Sequence, residues 1–162
     1  MNKPGGPGNC AGVIPYMERK TDMNNYQYIA QKLLQLLGPD MAVRITVAGY
    51  MPLSIEDIGH SPDGFRQISL CHYGEQNGDL MRDPDVVYVL QEIEGLLIAE
   101  PVSFQNDYMG VYQEVYDYNG EGRRMHVNPR LKQELLSFSL TWLCNLKEQG
   151  FFNNDARRER LA

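Results

Sequence analysis

Apolar positions recur at Tyr26, Ile29, Ala30, Leu33, Leu34 and Leu37, the spacing of one helical face, with Asp22 or Asn24 as N-cap candidates. Gly38 followed by Pro39 stops this helix. Val43, Ile45 and Val47 then alternate with Arg44, Thr46 and Ala48, a period of two that predicts a strand with Arg44 facing solvent or an edge. From Met51 to Gly64 the breakers Pro52, Gly59, Pro62 and Gly64 predict a long connection anchored by Ile55 and Ile58. Phe65 to Tyr73 reads as a strand with Ile68, Leu70 and His72 on one face and Gln67, Ser69, Cys71 and Tyr73 on the other. Gly74 to Pro84 turns the chain into a strand near Asp85 to Ile93, apolar on both faces and so expected at the centre of a sheet. A strand over Leu96 to Phe104 contains Pro101, which lacks a ladder N–H and points to an edge or a bulge. In the last predicted strand, Gly110 to Tyr118, Tyr112, Glu114, Tyr116 and Tyr118 alternate against Val111, Gln113 and Val115. Asn128 and Pro129 then open a helix striped by Leu131, Leu135, Phe138, Trp142 and Leu146, closed at Gly150 with Lys147 in its last turn.

This order predicts an α+β fold: a single, mostly antiparallel sheet of four to five strands flanked by an N-terminal and a C-terminal helix. Residues 1–20, dense in Pro and Gly, are expected as a flexible N-terminal tail, 21–152 as one α+β domain, and 153–162 as a C-terminal tail. The length of 162 residues suits one domain, and 43% apolar with 22% charged residues excludes a disordered, collagen-like or coiled-coil chain. The balance of 15 Lys and Arg against 21 Asp and Glu gives a net charge of -6, the opposite of a phosphate-backbone footprint, so nucleic acid is not expected as a partner. Three widely spaced cysteines, Cys10, Cys71 and Cys144, read as reduced thiols. No apolar run approaches the ~20 residues of a membrane helix, and the start MNKPGGPGNC lacks the h-region of a secretory signal. The expected location is the cytoplasm, with no membrane partner.

The phosphate-loop, nucleophile-elbow, zinc-protease and dinucleotide-binding motifs are all missing. His60, His72 and His126 lie on separate segments, so a histidine-based site would have to assemble in three dimensions. The acidic stretch Glu75 to Asp85 offers hard oxygen ligands, and a metal site of His72, Asp79 and Asp83 is one reading; ordinary turn chemistry is the plainer one. Glu100, Asp107, Glu114 and Asp117 could supply an acid and base pair, against a simple reading as solvated strand charges. Cys71 and His72 point to opposite faces and cannot form a nucleophile pair within their strand. Ten tyrosines are notable, because Tyr108, Tyr112, Tyr116 and Tyr118 gather near the last strand and three of them share a face. That face is either a binding surface or core covered by the helices. No cofactor is implied.

The stretch HYGEQNGDLMRDPDVVYVL, followed by PVSFQNDYMGVYQEVY, resembles a bacterial and phage family of unknown function whose members occur on conjugative elements and prophages. VYDYNGEGRRMHVNPRLKQELLSFSLTWLCNLKEQGF is similar to a second group of uncharacterised bacterial proteins, and the two together span about residues 26–150. The resemblance implies an accessory protein of a mobile element and brings no site residues. The residues themselves lead to a non-enzymatic protein-interaction module, with the Gly74 to Pro84 and Asn106 to Gly110 turns as contact loops and a protein as partner. A metal-dependent hydrolase using His72, Asp79 and Asp83 is the alternative. The Leu96 to Phe104 strand, as an exposed edge, leaves a homodimer open.

Overall fold

The first helix, α1 (Arg19–Leu37), begins ahead of both cap candidates and buries Tyr26, Ile29, Ala30, Leu33, Leu36 and Leu37. The computed structural model describes residues 19–162, so residues 1–18 of the expected N-terminal tail lie outside the described residues. The second, α2 (Pro129–Gln149), starts where the Asn128 side chain accepts the Leu131 N–H and ends at Gly150, whose N–H meets the last-turn carbonyls of Leu146 and Lys147. Its buried residues include Leu131, Leu135, Trp142 and Leu146 of the expected stripe.

Both helices cover one face of a seven-stranded sheet in the order β6-β5-β4-β3-β2-β1-β9. The strands are β1 (Ala42–Thr46), β2 (Leu53–His60), β3 (Arg66–Gln76), β4 (Asp79–Ile93), β5 (Leu96–Asn106), β6 (Val111–Glu114) and β9 (Arg157–Arg160). Every neighbouring pair is antiparallel. Val43, Ile45, Leu53, Ile55, Ile68, Leu70, Val86, Tyr88 and Leu90 meet the helices in a single core. Inside it the Tyr88 hydroxyl reaches Ser139 Oγ at 2.9 Å, so burial of that phenol leaves no unmet polar atom. A separate two-stranded sheet joins β7 (Tyr116–Tyr118) to β8 (Arg124–Val127).

The α+β class and the antiparallel pairing agree with the sequence, but the main sheet has seven strands rather than four to five. The expected connection at Met51 to Gly64 contains β2: Pro52 and Pro62 flank that strand, and Gly59 sits where its register with β3 shifts. The turn expected over Gly74 to Pro84 contracts to Asn77-Gly78, both at positive φ (53° and 86°), as a tight two-residue hairpin needs. Leu96 to Phe104 is an edge for most of its length, because β5 pairs with β4 throughout but with β6 only over Ser103–Asn106, and Pro101 lies at a register shift. Gly110 to Tyr118 is two strands, broken at Val115. Residues 153–162, expected as a tail, supply β9, whose four side chains are all exposed and leave no apolar alternation to read. Its anchors are the backbone ladder to β1, an Arg44–Glu159 ion pair at 3.2 Å, and Arg158 Nη1 donating to the Leu36 carbonyl at 2.8 Å.

Of the cysteines expected as reduced thiols, Cys71 is free and buried, whereas Cys144 is disulfide-bonded. Sequence separation sets no limit on which thiols meet in space. Among the described residues no helix is long and apolar enough to cross a membrane.

Candidate functional site: a tyrosine cleft on the face away from the helices

Strand alternation sends Val86, Tyr88 and Phe104 toward the helices, so their neighbours Val87 and Ser103 point to the opposite face. In the ladder Val87 pairs with Ser103 and Ser103 with Glu114, and Tyr112 follows on the same face of β6. At Val115 the chain leaves the sheet. Its N–H donates to the Val102 carbonyl at 2.8 Å, its own carbonyl accepts from Asn128 N–H at 2.7 Å, and its side chain is buried against Leu131 and Leu135. This pins the base of the β7–β8 hairpin, which then arches over the face that the helices leave uncovered.

The hairpin is fastened at both ends. At its base the Tyr116 hydroxyl donates to Glu100 Oε2 at 2.6 Å, while Lys132 Nζ, from the first turn of α2, donates to Glu100 at 2.6 Å and to Tyr116 Oη at 2.7 Å. Glu100 is only 4% exposed, so this carboxylate depends on the two donors for what it loses in water. At the far end Arg124 Nε lies 2.9 Å from Asp63 Oδ2, in the loop between β2 and β3. The Arg124 guanidinium also stacks 4.0 Å from the centre of the Tyr116 ring. Gly122, at φ +79°, sits so close to the Pro62 carbonyl that a Cβ there would collide with it.

Between hairpin and sheet lies a cleft of about 290 Å³. Val87, Val102 and Ser103 come from the sheet, Tyr112, Glu114, Tyr116 and Tyr118 from β6 and β7, and Ile58, Pro62 and Gln67 from β2, β3 and the loop between them. Tyr112 donates its hydroxyl to Glu114 Oε2 at 2.9 Å. Burial, then Glu114, pushes the Tyr112 phenol up to about 12. Burial likewise raises Tyr116, with Glu100 adding to it, and raises Tyr118. All three therefore stay neutral near pH 7, offering ring faces and hydroxyls rather than phenolate bases.

Of the four tyrosines picked out in the sequence, Tyr112, Tyr116 and Tyr118 meet in this cleft, which no helix residue lines, although Tyr116 also packs against Leu131 and Leu135 of α2 and takes the Lys132 contact. Tyr108 does not join them; its ring lies across Gly74 beside the β3–β4 hairpin. The break at Val115 separates β6 from β7 yet keeps the even-numbered side chains on the cleft side. His72, Asp79 and Asp83 are not gathered. His72 faces the core, with Nδ1 3.2 Å from the Pro52 carbonyl and its ring 5.7 Å from Trp142 and 5.8 Å from Phe151. Asp79 is exposed, paired with Gln76 beside the turn, and Asp83 accepts from Asn106 Nδ2 at 2.8 Å. Among the described residues no group of three or more His, Cys, Asp or Glu side chains could hold a metal ion.

The four strand carboxylates also separate. Glu114 and Asp117 are exposed, and Asp107 takes the Arg82 N–H and Nε at 2.8 and 2.9 Å, but Glu100, expected as a solvated charge, is buried. Asp63 and Lys132 carry no signal in the sequence, and the pairings of Glu100 and Arg124 are equally hidden there, because each is recognised only by a distant partner. The one local signal was Arg124-Met125-His126-Val127 after a Gly-rich turn, the return strand of a hairpin.

A family model described as a domain of unknown function (DUF6908) matches residues 24–152, which include the sheet from β1 to β6, the hairpin and both helices apart from the start of α1. No curated protein and no solved structure matches the chain.

Proposed function

The chain belongs to this family of domains of unknown function, and on that premise we propose that it is a non-enzymatic protein-interaction module whose tyrosine cleft is the docking site. The observation that carries the reading is the convergence of Tyr112, Tyr116 and Tyr118 around one cavity that the helices leave open. Tyrosine gives large contact area at low conformational-entropy cost and keeps a polar tip, which suits protein recognition. Ile58 and Tyr112, 44% and 58% exposed, supply apolar contact at the rim. The resemblance to proteins of conjugative elements and prophages supports a setting as accessory cargo of a mobile element. The metal-dependent hydrolase has no such support, since among the described residues no group of three or more His, Cys, Asp or Glu side chains could hold a metal ion.

The test is affinity purification from the encoding organism, followed by native mass spectrometry, for the wild-type chain and for Tyr112→Ala with Tyr118→Ala. The expected result is a defined protein complex with the wild type that the double variant loses while its melting curve stays cooperative. Recovery of the same complex with the variant, or of a bare or small-molecule-bound wild-type chain, overturns the reading.

A further inference from the structure

Glu114 is the one charged side chain among the described residues that line the cleft. Two nearby cations each face a carboxylate outside the cleft lining: Arg124 Nε stands 2.9 Å from Asp63, although its Nε and Nη2 make no hydrogen bond, and Lys132 stands 2.6 Å from Glu100. The cleft thus carries one uncompensated negative charge beside three aromatic rings. Asp85 adds to it, since its field, after burial and Glu114, contributes to raising the Tyr112 phenol. Tyr116 shows what such a ring accepts, because the chain's own guanidinium lies 4.0 Å from its centre. Ring faces carry negative quadrupole charge, so aromatic walls closed by a carboxylate select cations over anions and neutral groups.

We infer that the cleft takes a single lysine or arginine side chain of a partner protein, held by Tyr112, Tyr118 and Glu114. This rests on the proposed function and names the chemistry its docking site recognises. The volume of about 290 Å³ falls at the lower edge of the ~300–1,000 Å³ typical of small-molecule clefts, which fits one long side chain rather than a cofactor. The exposed rim of Ile58 and Tyr112 gives the residues flanking that side chain an apolar contact that a free ammonium ion would leave in water. The net charge of -6 steers a basic partner toward the chain.

An NMR titration of the tyrosine ring signals tests this, with a short Gly/Ser peptide bearing one central lysine and matched peptides bearing acetyl-lysine or glutamate. The lysine peptide is expected to shift the Tyr112 and Tyr118 signals saturably, and the other two to bind at least five-fold more weakly. Tyr112→Ala and Tyr118→Ala leave the charge unchanged, so each should weaken the lysine peptide by about three- to thirty-fold through lost cation–π contact alone. Glu114→Gln should weaken it while leaving the rings in place. Tyr112 is exposed enough for its variant to stay folded should Tyr118→Ala not. Equal binding of the three peptides, or no change in the two alanine variants, overturns the inference. If the tyrosine variants lose the native complex while the lysine peptide shows no preference, the docking site stands and its cation selectivity falls.

Discussion

His72 shows at the scale of one residue how burial turns a polar side chain into a stability sensor. Burial pushes its pKa down, against the opposing pull of the Pro52 and Met51 carbonyls. The unfolded chain therefore takes up a proton near pH 6.5, where the folded chain still resists it. The resulting stability is fully present above about pH 6.5 and is lost as the pH falls toward the lowered folded value. His72→Phe keeps a ring against Trp142 and Phe151 but removes the shorter of the two hydrogen bonds at the Pro52 carbonyl, leaving it only the Tyr73 N–H at 3.4 Å, so it should be less stable than wild type by about 1 kcal/mol at pH 8. The gap should shrink as urea unfolding is repeated down to pH 5; a constant or widening gap would contradict the assignment. Alternation with Ile68 and Leu70 already put His72 on an apolar face, whereas its partners, Pro52, Trp142 and Phe151, come from three other segments.

The β7–β8 hairpin is the element on which the cleft depends. Its tip touches the β2–β3 loop through Gly122 and Arg124, and its base is held by Glu100 and Lys132. Gly122→Ala meets both a left-handed backbone and the Pro62 carbonyl, so it should lift the tip from the sheet and cost about 1–3 kcal/mol. Gly120→Ala in the same turn has open space and is the control. Thermal melts of the two variants, with the tyrosine ring signals as a reporter of the cleft, should separate them; equal behaviour would mean that the tip is not seated. The turn was legible from Asn119 to Gly122, and so were the two helices, with their stripes and stops. Strand β2 was missed because its breakers lie at its ends and at a bulge. β8 was missed because four residues are too few to show a period.

At the scale of the whole molecule, β9 brings the last residues of the chain to the β1 edge and closes the sheet beside the end of α1. A chain ending at Asp155 loses the ladder to β1, the Arg44–Glu159 pair and the Arg158 contacts with the Leu36 and Leu37 carbonyls. A loss of about 2 kcal/mol corresponds to a melting temperature lower by roughly 4–8 °C for a chain of this size. The bared β1 edge should also produce concentration-dependent association in size-exclusion chromatography. A monomer with unchanged melting temperature would show that β9 adds nothing. The sequence by itself determined the α+β class, the helical faces, the C-terminal stop of α1 and both caps of α2, the alternation that groups Tyr112, Tyr116 and Tyr118, and the acidic balance, because each follows from local periodicity, capping chemistry or composition. Only the tertiary structure decided that these tyrosines line a cleft without helix residues, that Glu100 is buried against Lys132 and Tyr116, and that an all-charged terminal segment joins the sheet. Those outcomes rest on pairings between distant segments, through backbone hydrogen bonds and buried charge contacts that leave no periodic mark on either partner.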